Sequence, residues 1–239
     1  MATKRLAKKH GLVQKRRIEH PLCPGTGQAK QEFDYLLVLD FESTCWEIKC
    51  HTPKPEIIEF PAVLLDLQTG EILAEFQQYV MPVEKPILSS FCTALTGITQ
   101  RQVEAGVPLG TCLVLFSRWI RELCKQYHMT FSTTLPGKRV TTATWSDWDL
   151  GICLHQECLR KQLKKPDFFN IWLDVRLSYK NFYRRSPKGL AGALQDLGMV
   201  FKGREHSGIV DARNTAILIS RMVCDGCILT VTSSLTTCT

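Results

Sequence analysis

The feature that most constrains the fold is an apolar run at residues 33–40, FDYLLVLD. A strand with one face in solvent alternates apolar and polar residues, whereas this run is almost continuously apolar. Continuous runs are typical of strands buried on both faces, in sheets that helices cover on both sides. The run therefore predicts a central strand of an α/β domain.

The rest of the chain supplies the other elements of such a domain. Further strands are predicted at about 56–65, 71–79, 139–145 and within 166–175. Helices are predicted, mainly from apolar residues three and four apart, at about 87–95, 108–127, 148–163, 175–183, 189–197 and 209–223. Pro61 inside the second strand indicates a bulge or an edge position. The order of elements predicts a mixed sheet with helices on both sides.

The two ends of the chain have a different composition from the middle. Residues 1–31 are basic and polar and are interpreted as a flexible arm, and the Ser- and Thr-rich residues 230–239 as a frayed tail. The domain is then 32–229. The net charge of +7 favours polyanionic partners such as nucleic acid. The arm fits RNA contact or nuclear targeting, and a solvated tail explains it equally well.

The 11 cysteines and the N-terminus indicate a compartment. The N-terminus is charged, without the apolar segment of a secretory signal. The chain also lacks the run of about 20 apolar residues that a membrane span needs. The cysteines are therefore interpreted as reduced thiols of a cytoplasmic or nuclear protein without a membrane partner.

The first chemical motif is VLDFEST, in which Asp40 and Glu42 follow the apolar run. Side chains at i and i+2 of a strand lie on the same side. Two buried negative charges are costly unless a cation lies between them, and carboxylate oxygens suit Mg²⁺ or Mn²⁺. A strand that leaves the core with two hydrated acids explains this motif equally well.

The second motif is TWSDWDLG, which follows the strand at 139–145. An acid at the end of a neighbouring strand would approach Asp40, and both Asp147 and Asp149 are candidates. Helix capping is the alternative, and it fits Asp147 as the N-cap of a helix that begins near Trp148. Asp149 then lies in the first helical turn.

The third motif is REHSGIVDARNTAIL, with His206 in a loop and Asp211 in the first turn of a helix. Histidine accepts protons near neutral pH, and a carboxylate can complete a metal shell. A surface histidine and an acid stabilised by the helix dipole are the alternative.

Taken together, the motifs resemble the DEDDh 3′–5′ exonuclease family over about residues 33–229. Four acids and one histidine occur in the family's order, and His206 and Asp211 have the spacing H-x4-D. Relatives usually carry two adjacent acids in the third motif, where this chain has Val210. Further segments resemble the Eri-type (enhanced RNA interference) exoribonuclease branch, most of all its second vertebrate group: EIIEFPAVLL, LTGIT, FYRRSPKGL and GREHSGIVDARNTA.

The resemblance implies a fold, an activity and a site. The fold is α/β, ribonuclease H-like, in three layers α/β/α around a mixed five-stranded sheet. The activity is metal-dependent 3′–5′ hydrolysis of RNA from an accessible 3′ end, releasing nucleoside 5′-monophosphates. The implied ligands of two Mg²⁺ ions, with Mn²⁺ as an alternative, are Asp40, Glu42, Asp149 and Asp211. His206 is the implied general base, and Glu42 also acts in catalysis and helps to hold the terminal nucleotide.

Four more residues are candidates for nucleotide contact: Phe41, Ser43, Trp46 and Arg204. The aromatic rings could stack on a base, although core packing is favoured for Phe41. Arg204 is a candidate because it lies two residues before His206. A monomer is expected. A DNA-directed exonuclease and a catalytically silent module that binds RNA ends stay open as alternatives.

Overall fold

The computed structural model describes residues 30–47 and 54–235. Almost all of the predicted basic arm at 1–31 lies outside the described residues. Gln31 is described. Its side-chain Nε2 donates a hydrogen bond to Cys227 O at 2.9 Å, and its Oε1 accepts one from Leu229 N at 3.0 Å. The domain therefore includes Gln31, one residue earlier than predicted.

The described part contains eight strands, five longer and three of two residues. In chain order they are β1 Tyr35–Leu39, β2 Glu42–Ser43, β3 Ile57–Asp66, β4 Ile72–Tyr79, β5 Met129–Thr130, β6 Lys138–Thr144, β7 Ile171–Asp174 and β8 Ser233–Ser234. The longer strands lie in the order β4-β3-β1-β6-β7. β1, β6 and β7 are parallel, whereas β3 and β4 are antiparallel to their neighbours. The mixed sheet is confirmed, and the predicted count of five omits the short strands.

The described part of the chain also contains seven α-helices. They are α1 Ser90–Thr96, α2 Gln100–Glu104, α3 Leu109–Tyr127, α4 His155–Arg160, α5 Val175–Tyr183, α6 Gly189–Asp196 and α7 Gly208–Cys224. A π-helical segment, Trp148–Leu154, precedes α4, and a 3₁₀ turn, Asp167–Asn170, precedes β7. The single helix predicted at 148–163 is thus two segments. Among the described residues, no helix is long and apolar enough to cross a membrane.

Two hydrophobic cores lie on the two faces of the sheet, as the apolar run in β1 predicts. Leu37 and Leu39 pack with α3 in one core, whereas Leu36 and Val38 pack with α5, α6 and α7 in the other. All four side chains are fully buried. The alternation along β1 therefore produces the three layers.

β1 and β2 are two parts of one line of chain beside β3, separated by Asp40 and Phe41. β1 pairs with β3 as far as Leu39 opposite Ala62, and pairing resumes at Glu42 opposite Glu59. Pro61 of β3 lies opposite this break and not at an edge of the sheet. A proline is tolerated there because a gap in the ladder does not need its missing N–H.

Three further expectations need correction. Residues 230–235 are not frayed, because Ser233 and Ser234 pair with β7. Asp147 does not cap a helix with its side chain; in the described structure this carboxylate accepts hydrogen bonds from Trp172 Nε1 and Ser233 Oγ. Seven described cysteines are free, but Cys224 is disulfide-bonded, so the prediction of uniformly reduced cysteines is wrong there.

Candidate active site

The break after β1 brings the first and second motifs together. The backbone N–H of Phe41 donates to Asp149 Oδ1 at 2.9 Å. Asp149 reaches this position because β6 runs parallel to β1, so both strands end at the same edge of the sheet. The Phe41 ring meanwhile packs on Phe60 with ring centroids 4.5 Å apart. The Phe41 side chain therefore packs in the core, as the sequence analysis favoured. The backbone of Phe41 faces the site.

Asp149 lies in the π-helical segment and is almost fully buried. Burial raises the pKa of its carboxyl to about 7, although the hydrogen bond from Phe41 opposes the shift. Wide π-helical turns are frequent at functional sites. The segment here directs a buried acid at the broken end of the central strand.

The third motif meets the same edge through the N-terminus of α7. Glu59 of β3 accepts hydrogen bonds from the N–H groups of Gly208 at 3.0 Å and Ile209 at 3.3 Å. Gln77 Nε2 donates to the same carboxylate at 2.7 Å. A side chain at Gly208 would begin 2.5 Å from Asp40 O, so only glycine permits this close approach.

Three carboxylates converge as a result. Oxygens of Asp40, Glu42 and Asp211 all lie within 4.8 Å of one another. Burial, followed by repulsion from Asp149, Asp211, Glu42 and Glu59, raises the pKa of Asp40 well above its ordinary value. Burial and then Asp211 and Glu59 raise the pKa of Glu42 to about 9. Such mutual repulsion is the environment that a bound divalent cation stabilises.

His206 lies in the loop that precedes α7. Its φ of 62° places it in the left-handed region, which is uncommon for a residue other than glycine. Burial raises the pKa of Asp211 to about 7, and the hydrogen bond from the His206 N–H opposes this shift. The Asn214 side chain holds the start of the loop: its Oδ1 accepts a hydrogen bond from Lys202 N, and its Nδ2 donates one to Lys202 O.

A cleft of about 340 Å³ contains most of these groups. The predicted site residues that line it are Asp40, Phe41, Glu42, Ser43, His206 and Asp211. Asp149 lies behind Phe41 and reaches the site through the backbone. Within the described part of the chain, the lining does not include Trp46 or Arg204.

Sequence reasoning missed several residues that line or support the cleft. The additional lining residues include Leu95, Trp145, Trp148, Leu190 and Phe201. They come from four separate segments, and the sequence offers no spacing that would group them. Glu59 was also missed, although an acid inside a strand that is otherwise apolar is a signal of a buried hydrogen-bonding role.

The comparisons with known proteins agree with this geometry. Residues 37–219 match the model of the exonuclease family. The chain belongs to this family. It is 54% identical to ERI1 exoribonuclease 2 of Xenopus laevis over 98% of its length, which confirms the Eri-type resemblance. It is also 44% identical to the 3′-5′ exonuclease Snipper of Drosophila melanogaster, with 87% of this chain and 76% of Snipper covered.

Solved structures of exonucleases share the fold. The nuclease domain of 3′hExo, a DEDDh family member bound to rAMP, superposes with a TM-score of 0.77 and 36% identity, covering 87% of this chain and all of that one. A second structure, which describes recognition of the histone mRNA stem-loop by a 3′-exonuclease, superposes with a TM-score of 0.78 and 36% identity. The superposition covers 87% of this chain and 89% of that chain. The predicted ribonuclease H-like class is thereby confirmed. The chain spans about a third of the length of ERI1 exoribonuclease 2.

Proposed function

We propose that this chain is a metal-dependent 3′–5′ exoribonuclease that releases nucleoside 5′-monophosphates from the 3′ ends of RNA. One observation carries the proposal: the oxygens of Asp40, Glu42 and Asp211 lie within 4.8 Å of one another, in a cleft that His206 also lines. The cleft, at about 340 Å³, has the size of a site for a small ligand such as a nucleotide.

The donor set fits divalent cations. All of its ligands are carboxylate oxygens, which hard cations prefer, and the raised pKa values of Glu42, Asp149 and Asp211 show that negative charge is destabilised there without a cation. We assign two Mg²⁺ ions to Asp40, Glu42, Asp149 and Asp211, with Mn²⁺ as a substitute. Bound ions would activate the attacking water and stabilise charge on the leaving 3′-oxygen.

The chain's own groups have separate tasks. His206 accepts the proton of the attacking water, and its position at the cleft wall leaves the imidazole accessible. Glu42 and the backbone of Phe41 and Ser43 hold the terminal nucleotide. Besides its assigned role towards the ions, Asp149 fixes the strand break on which Asp40 and Glu42 lie, because it accepts a hydrogen bond from Phe41 N.

The preference for RNA is inferred from relatives. The curated relatives include proteins named exoribonucleases, and two solved neighbours carry rAMP or recognise an mRNA stem-loop. We propose the same substrate class here, and we assign it to the folded domain, which includes Gln31 and the strand Ser233–Ser234. The aromatic rings of Trp145 and Trp148 at the cleft are suited to stacking on a base.

The test uses one RNA and one DNA of matched sequence, each single-stranded and labelled at the 5′ end. The purified chain is incubated with each substrate in Mg²⁺, in Mn²⁺ and in chelator, and the products are separated by length. A second RNA labelled in its last nucleotide identifies the released species. Asp211→Asn serves as the inactive control. The proposal predicts a ladder that shortens from the 3′ end, with nucleoside 5′-monophosphate as the first labelled product.

Three results would contradict the proposal. RNA binding without trimming in any metal would favour the silent end-binding module. Faster trimming of DNA than of RNA would favour the DNA-directed enzyme. Equal activity of Asp211→Asn and the parent chain would remove the carboxylate cluster from the chemistry.

A further inference from the structure

Arg204 is exposed on the loop of His206, but its guanidinium is directed at a helix and not at the cleft. Arg204 Nη2 donates to Ala94 O at 2.6 Å and to Leu95 O at 3.3 Å. Both acceptors are carbonyl groups in the last turn of α1. Arg204 therefore joins two segments that are about 110 residues apart in the chain.

The end of α1 is chemically suited to this contact. The last carbonyl groups of a helix have no partner within the helix, and they carry the negative end of its dipole. Gly97 N–H satisfies Thr93 O at 2.9 Å. The next two carbonyl groups, of Ala94 and Leu95, are the ones that accept from Arg204. A guanidinium, with several donors in one plane, can serve both.

Gly97 provides the space for the guanidinium. Its φ of 75° is left-handed, and a Cβ added there would lie 2.0 Å from Arg204 Nη1. The absence of a side chain thus lets Arg204 lie flat against the helix end. The same turn carries Leu95, which lines the cleft. The contact between Arg204 and α1 consequently links one wall of the cleft to the loop that forms another.

We propose that Arg204 is a positioning residue that holds the His206 loop against α1 and so sets the place of the imidazole in the cleft. The loop requires such support because it is exposed and contains two left-handed residues, Gly203 and His206. Lys202 is held through Asn214 at one end of the loop, and Gly208 is held through Glu59 at the other. Arg204 supplies the contact between these two points. This inference rests on the proposed function, because it assumes that His206 takes part in hydrolysis.

Direct contact between Arg204 and the RNA backbone is the competing role. A phosphate contact would contribute to affinity and to its salt dependence. A positioning role would instead affect turnover and the mobility of the loop. The two roles therefore differ in what each measurement reports.

The experiment compares Arg204→Ala, Arg204→Lys and Lys202→Ala in the full chain. Lys202→Ala is the matched control, because it removes one positive charge from the same loop and leaves its backbone bonds to Asn214 in place. Four experiments are made on these variants. The first gives kcat and KM for RNA trimming in Mg²⁺, and the second gives RNA affinity in chelator at two salt concentrations. The third measures amide hydrogen exchange of residues 203–207, and the fourth tests rescue of Arg204→Ala by guanidinium at non-denaturing concentration.

The positioning role predicts a specific combination of results. In Arg204→Ala, kcat falls at least about tenfold, towards the 100-fold loss that a small misplacement of a catalytic group can cause. KM and RNA affinity stay within about twofold of the parent values. Exchange at residues 203–207 becomes faster, guanidinium restores part of kcat, and Arg204→Lys is intermediate. Lys202→Ala behaves as the parent chain.

Two results would overturn the role of Arg204. The first is weaker RNA binding in chelator with a flatter salt dependence and an unchanged kcat, which would show a phosphate contact. The second is unchanged exchange at residues 203–207. The exchange measurement decides even if the parent chain trims no RNA, whereas that lack of activity would by itself refute the proposed function.

Discussion

Phe41 and Asp149 are 108 positions apart, and a hydrogen bond of 2.9 Å from Phe41 N to Asp149 Oδ1 closes the gap where the central strand is broken. The break leaves Phe41 N–H without a partner in the sheet, and Asp149 supplies it. One carboxylate thus holds the backbone that presents Asp40 and Glu42. Its charge also raises the pKa of Asp40.

Asp149→Asn separates the charge of this residue from its hydrogen bond. The asparagine oxygen can still accept from Phe41 N–H, so we expect the variant to fold. In the absence of metal, its melting temperature should be at least as high as that of the parent. RNA trimming should fall by about 10- to 100-fold or more, the range found when groups that support a metal site are removed. Melting curves and single-turnover trimming of labelled RNA measure both effects.

Asp147→Asn is the matched control for this substitution. Asp147 lies two residues earlier, and its carboxylate accepts from Trp172 and Ser233. We expect trimming within about threefold of the parent, since only local hydrogen bonds change. If Asp147→Asn lost as much activity as Asp149→Asn, the loss would reflect general disturbance of the π-helical segment.

Asp211→Asn tests the repulsion within the carboxylate cluster. Because burial and neighbouring charges destabilise the ionised cluster, removing one charge should raise the melting temperature of the metal-free protein. The same substitution should weaken Mn²⁺ binding and lower trimming by more than about 100-fold, beyond the usual loss for a residue behind a metal ligand. Calorimetric titration and melting curves in chelator provide the measurements.

Asp225→Asn at the other end of α7 is the control for Asp211→Asn. Asp225 forms an exposed pair with Arg221, with a separation of 2.9 Å. Exposed pairs contribute little, so Mn²⁺ affinity should be unchanged. A metal-free melting temperature that fell in Asp211→Asn would contradict the account of mutual repulsion.

The stability of the metal-free protein should decrease as the pH rises. The folded pKa of Glu42 is about 9, and those of Asp149 and Asp211 are about 7, whereas unfolded carboxyls have a pKa of about 4. Between these values the folded chain binds more protons than the unfolded chain, so the free energy of unfolding falls with rising pH. The decrease should run from about pH 4 to about pH 9.

Urea unfolding in chelator at three pH values measures this slope. Glu42→Gln should flatten it, and Glu71→Gln, at an exposed position, should not. Added Mg²⁺ should stabilise the protein most at the highest pH, since fewer protons then compete with the metal. A metal-free protein whose stability rises over the same window would refute the assigned protonation states.

Glu59→Ala tests the anchor of α7. The substitution leaves the buried N–H groups of Gly208 and Ile209 and the Gln77 amide without their acceptor. We expect the free energy of unfolding to fall by about 1–3 kcal/mol, the cost of unsatisfied buried groups. Glu71→Ala, on an exposed side chain, should change it by less than about 0.5 kcal/mol. Equal effects of the two substitutions would show that Glu59 anchors nothing.

The sequence predicted the site best where the chemistry lies at the ends of regular elements. Asp40 and Glu42 follow a continuous apolar strand, and Asp211 lies in the first turn of a long amphipathic helix. Their convergence was expected only from the family resemblance, because each motif alone had a second explanation. The order of elements predicted a mixed sheet with helices on both sides, and the ribonuclease H-like class followed from the family resemblance. Val210 packs towards Gly203.

The sequence was less informative where long-range packing decides the outcome. A two-residue strand such as β2 has no periodic pattern, so the break at Asp40 could not be predicted. Arg204 lies two residues before His206 in the sequence. The direction of its guanidinium depends on the space left by Gly97, which lies more than a hundred residues away. The role of the basic arm at 1–29 stays a prediction, because those residues lie outside the described chain.

The most direct test of the account is an anomalous diffraction measurement on crystals soaked in MnCl₂. The account predicts two anomalous peaks beside Asp40, within coordination distance of the carboxylates of Asp40, Glu42 and Asp211, and loss of both peaks in Asp40→Asn crystals. An empty cluster in the parent crystals, or manganese bound only elsewhere on the surface, would contradict the central claim that these acids form the metal site.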